Sequence, residues 1–87
     1  MSRINKGDEV LIKGFVEDYC FGKMPPPGSW QYQVYMAEID REVCIIRDAG
    51  ECRQSCKVYI PSRNDSWWVK KEFIKPYSGL EREATEF

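Results

Sequence analysis

Apolar and polar positions in this chain alternate in short runs, which is the period of strands with one buried face. In "KGDEVLIKGFVEDY", Val10, Ile12, Gly14 and Val16 share one face, and Leu11, Lys13, Phe15 and Glu17 share the other. This predicts a first strand over Glu9 to Asp18, with a bulge or sharp coil at Gly14. "QYQVYMAEI" also alternates and predicts a second strand from Gln31 to Ile39, closed by a turn at Asp40-Arg41. "EVCIIRD" predicts a third, with Val43 and Ile45 opposite in sense to Cys44 and Ile46. A hairpin loop with Gly50 in a positive-φ conformation leads to a fourth strand, "CKVYIPS", ended by Pro61. "RNDS" is a polar turn, "WWVKKEF" a short strand entering a tight turn, and "IKPY" the last extended piece. The pattern allows one helical turn, in the tail from Leu80.

Two segments break the alternation. "YCFGKMPPPGSW" places three consecutive prolines between Gly22 and Gly28, which excludes a helix interior or a central strand there. The result is a long first loop carrying Tyr19, Phe21, Met24 and Trp30, either folded back on the domain or presented as a binding face. Its PPP run is also a polyproline-prone ligand for an aromatic groove, although its place between two strands favours a structural loop. The second segment is "SWWVKK". Adjacent residues on a strand point to opposite faces, so one of Trp67 and Trp68 meets solvent, beside Arg63, Lys70 and Lys71.

Composition narrows the class. Eighty-seven residues, 43% hydrophobic and 14% aromatic, suit one small domain over 1–77 with an acidic, mobile tail over 78–87. No run is long enough for a membrane span, and the N-terminus lacks the apolar core of a secretory signal, which predicts a cytosolic chain. Net charge is −1, an argument against nucleic acid as the main partner. The charge is uneven: Lys57 to Pro76 holds five cations against two carboxylates, while the tail holds Glu81, Glu83 and Glu86 against Arg82.

The chain has no histidine, so the commonest general base and metal ligand are absent. Cys20, Cys44, Cys52 and Cys56 lack the paired spacing of a zinc site, only Cys52 and Cys56 being close, and four free thiols are expected in a cytosolic chain. The carboxylates are scattered over turns and strand ends, and no phosphate-binding or calcium loop is present. The expectation is no catalysis, no metal and no cofactor.

Five short strands, a long first loop, two tight hairpins and a one-turn helix before the last strand resemble an SH3-like barrel. "KGDEVLIKG" resembles the opening strand of the KOW, Tudor and related SH3-like families, and "WWVKKEFIKPY" resembles their closing element, with Val69 leading into a turn and Phe73 and Ile74 re-entering the core. The build also resembles small proteins of bacteriophages and mobile elements. The resemblance implies an all-β, non-enzymatic binding module acting through the first loop and its neighbours. The expected surface comprises Tyr19, Phe21, Trp30, Arg63, Asn64, Trp67, Trp68 and Lys70. Its leading role is as an accessory or inhibitory factor that occludes a partner protein, such as a host defence component. The alternatives are a small-molecule or nucleotide binder, with its pocket completed in a homodimer, and a KOW-like nucleic-acid binder. A Tudor-type cage would use several rings and an acid such as Asp18 or Asp65.

Overall fold

The computed structural model describes residues 4–77; the expected acidic tail, 78–87, and its helical turn lie outside the described residues. Strands dominate, in one antiparallel five-stranded sheet with a single short helix laid against it. The strands are β1 (Glu9–Ile12), β2 (Cys44–Asp48), β3 (Ser55–Ile60), β4 (Asp65–Lys70) and β5 (Ile74–Pro76). Their order across the sheet is β4-β3-β2-β1-β5. A closed barrel was expected; the described sheet instead has edges at β4 and β5, with no pairing between them.

The alternation decides which side is buried. Cys44 and Ile46 of β2, Cys56, Val58 and Ile60 of β3, and Val69 of β4 point to one face and are almost fully buried. Val10, Ile12 and Ile74 complete that face around β1 and β5. Short one-turn helices at Pro61–Arg63 and Lys71–Phe73 reverse the chain before β4 and β5. The second inserts Phe73 into the core.

Two predicted strands are corrected. The segment expected as a strand over Gln31–Ile39 is the helix α1, Trp30–Ile39. Trp30, Val34 and Ala37 recur at helical spacing, and the last two are 0% exposed against the sheet. Ser29 caps the helix, its hydroxyl accepting the Tyr32 N–H at 3.1 Å. The other end is a Schellman closure: the Glu42 N–H donates to the Ala37 carbonyl and the Arg41 N–H to the Glu38 carbonyl, with Arg41 in the left-handed position at φ 54°.

The first strand stops at Ile12 rather than at Asp18. Gly14, at φ 89°, turns the chain out of the sheet, and Val16–Cys20 forms a π-helical turn. Glu38 ties this turn to α1, its carboxylate accepting the Gly14 N–H at 3.1 Å and the Val16 N–H at 2.9 Å. The first loop is therefore held by the helix that it precedes. Among the described residues no helix is long and apolar enough to cross a membrane.

Candidate functional site

The first loop builds an aromatic cluster on the helix side of the sheet. Phe15, buried, is its hub: it stacks on Tyr19 at 4.9 Å between centroids, meets Phe73 edge-on at 5.5 Å, and lies 6.1 Å from Trp30. Tyr19 and Trp30, both on the expected contact surface, approach to 5.8 Å. The cluster fastens the inner end of the π-helical turn and leaves its outer end in solvent. Tyr19 is 42% exposed, Phe21 78% and Met24 62%.

Phe21 has an unusual backbone. It ends the π-helical turn in the left-handed conformation, φ 51° and ψ 38°, and its N–H donates to the Val16 carbonyl. Bulky residues avoid that region, where asparagine or glycine is usual. Gly22 follows, also at positive φ, and the Lys23 N–H closes on the Cys20 carbonyl at 2.9 Å. The chain thus adopts a costly backbone conformation at a residue that stays mostly exposed.

The other expected contact residues are distributed differently. Trp67 turns toward the helix side and packs against the core, with its indole Nε1 buried and without a hydrogen-bond partner. Trp68 turns to the opposite face, 40% exposed, under the Arg53 guanidinium at 5.0 Å. One groove does not contain both indoles. Arg63 is occupied within the fold: it pairs with Asp40 at 3.0 Å and Glu42 at 2.9 Å, and Ser62 joins the same cluster through its hydroxyl. Asn64, in the left-handed position at φ 51°, accepts the Tyr59 hydroxyl at 2.9 Å. Lys70 lies 3.9 Å from Glu72 at the surface.

Sequence reasoning missed the outer face of the sheet. Tyr59 stands there with Arg47 over its ring at 4.4 Å, and Lys57 is opposite Trp68. The available signal was the alternation in "SCKVYI", which puts Lys57 and Tyr59 on the face away from Cys56, Val58 and Ile60.

The four cysteines are free thiols: Cys44 and Cys56 buried, Cys20 half-buried, Cys52 exposed. Burial pushes the Cys44 thiol up to about 12, helped by the nearby Glu42 carboxylate and opposed by Arg63. Cys56 is raised mainly by burial, and Cys20 by burial and then Glu38. These three are held as neutral thiols, which weakens them as nucleophiles and ligands. No group of three or more metal-ligating side chains is gathered among the described residues. A shallow, open depression of about 390 Å³ lies between β1 and the end of α1, lined by Leu11, Ile12, Lys13, Glu38, Ile39 and Arg41.

No protein-family model matches the chain, and neither the curated proteins nor the solved structures contain a match to it.

Proposed function

We propose that this chain is an SH3-like binding module that docks on a partner protein through the outer end of its first loop, with Phe21 as the anchor. The strand order, the one-turn helix directly before the last strand and the long first excursion support the SH3-like reading. The loop is the place where such a module would carry its specificity.

The observation that carries the proposal is the exposed Phe21 ring held out on left-handed backbone. Backbone strain persists where surrounding structure enforces it, and it concentrates at functional positions. Met24 and Tyr19 extend the apolar surface on either side in sequence. An aromatic anchor seated in a partner's pocket, ringed by weaker contacts, is how most small interfaces gain their affinity. Glu17 and Asp18, both exposed, lie in the π-helical turn that leads to the anchor and favour a partner site with a positive rim. By this reading the module works by steric occlusion, in the manner of the small phage and mobile-element proteins that its build resembles.

The test is affinity capture from source-cell extract with wild-type chain and a Phe21→Ser/Met24→Ser variant. A stoichiometric protein recovered by wild type and lost by the variant supports the reading. Equal recovery by both overturns it.

A further inference from the structure

We propose that the outer face of the sheet, opposite the helix, binds single-stranded nucleic acid, with Tyr59 and Trp68 as stacking platforms and Arg47, Arg53 and Lys57 as phosphate contacts. This site shares no residue with the Phe21 surface and does not rest on the protein-docking reading.

The face is assembled by strand register. Lys57 and Tyr59 lie two apart on β3, and β4 sets Trp68 opposite Lys57 and Ser66 opposite Tyr59. Tyr59 and Trp68 are therefore diagonal neighbours on one face, a spacing that long aromatic side chains bridge. Each ring is covered by a guanidinium: Arg47 over Tyr59 at 4.4 Å and Arg53 over Trp68 at 5.0 Å. Arg47 follows inward-facing Ile46 on β2 and so points to the same outer face. Flat rings and guanidinium planes are the two surfaces on which unpaired bases stack, and the guanidinium edges remain free to hold phosphate.

Charge supports the same assignment despite the net value of −1. Residues 4–42 carry four cations and seven carboxylates, whereas residues 43–77 carry seven cations and four carboxylates. Arg63 is neutralised by Asp40 and Glu42, but Arg47, Arg53 and Lys57 have no carboxylate within ion-pair distance among the described residues. Asp48, opposite Lys57 in the ladder, has its carboxylate turned to the Gly50 N–H at 2.8 Å. The face is the side of the sheet opposite the one on which α1 packs. A free nucleotide would be bound on one side only, whereas a strand gains several such contacts at once.

The test uses fluorescein-labelled (dT)12 and (rU)12 at low salt, read by anisotropy. The chains are wild type, Trp68→Ala, an Arg47→Gln/Arg53→Gln/Lys57→Gln triple variant, and Phe21→Ser/Met24→Ser, all checked for folding by circular dichroism. Expected is saturable binding by wild type and by the Phe21/Met24 variant. Trp68→Ala should bind about tenfold more weakly. The wild-type salt dependence should have a log–log slope of about −2, for three phosphate contacts on a single strand. Any of four results overturns the proposal: no binding by folded wild type, undiminished binding by the triple variant, equal binding of a duplex hairpin, or displacement by mononucleotide as effective as by oligonucleotide.

Discussion

Trp67 and Trp68, adjacent on β4, serve opposite faces of one sheet: Trp67 packs against the core, and Trp68 lies on the outer face, 40% exposed, under the Arg53 guanidinium at 5.0 Å. The pair separates the molecule into a helix side, where the first loop presents Phe21, and an outer side with Tyr59 and Trp68.

Truncating the two indoles should therefore have unequal effects on stability. Trp67→Ala removes a large ring from the core boundary and should cost about 3 kcal/mol. Trp68→Ala should cost less than about 1 kcal/mol, the scale of an exposed cation–π contact. Urea unfolding of both variants measures the difference, and similar losses would show that both rings are structural.

Gly50 tolerates no side chain. It has φ 59°, and a Cβ there would stand 2.0 Å from the Ser55 carbonyl oxygen. The Gly50 carbonyl also accepts the Arg53 N–H and the Lys71 ammonium. Gly50→Ala should open the β2–β3 hairpin and cost at least about 2 kcal/mol, read as a lowered Tm.

Arg63 acts as a clasp between the end of α1 and the turn before β4. Glu42 accepts the Ser62 N–H at 2.6 Å as well as the guanidinium, and both charged side chains are mostly shielded. A double-mutant cycle of Arg63→Gln and Glu42→Gln should give a coupling energy of about 1–2 kcal/mol. A coupling near zero would show that the clasp is incidental.

Cys44 predicts an alkaline limit. Its thiol is raised in the folded state from 9.0 to about 12. The unfolded chain therefore loses this proton first as pH rises, and ionisation favours unfolding. The stabilisation is complete below about pH 8.5 and is lost progressively up to pH 12. Cys44→Ala should be less stable at neutral pH yet show a shallower decline over that interval. At pH 8 in native buffer a thiol reagent should label exposed Cys52 and spare Cys44 and Cys56 until the chain unfolds.

The strands after residue 43 were legible because one face is buried and the other is not, so alternation carries the whole signal: "SCKVYI" reads its own burial pattern. The segment before them misleads. In "WQYQVYMAEI" the strand period and the helical spacing of Trp30, Val34 and Ala37 coincide, and only Ser29 after a Pro-Gly stretch marks a helix start. Gly14 marked a break in the first strand, but its positive φ ends the strand instead of bulging it. Phe21 was legible as an apolar residue in a proline-rich loop, but whether that loop folds back or is presented was not. The commitment of Arg63 to Asp40 and Glu42 was not, because it joins positions more than twenty residues apart. The Arg47–Tyr59 stack joins side chains of two strands and depends on the β2–β3 pairing, which alternation within one segment does not encode.

The most direct measurement places a photo-crosslinking p-benzoylphenylalanine at position 21 and, as a control, at Lys75 on β5, with irradiation in source cells and identification of adducts by mass spectrometry. Phe21 as anchor predicts one dominant protein adduct from position 21, suppressed by excess wild-type chain and absent from position 75. The same adduct from both positions, or none from position 21, would contradict the claim that this loop seats on a partner protein.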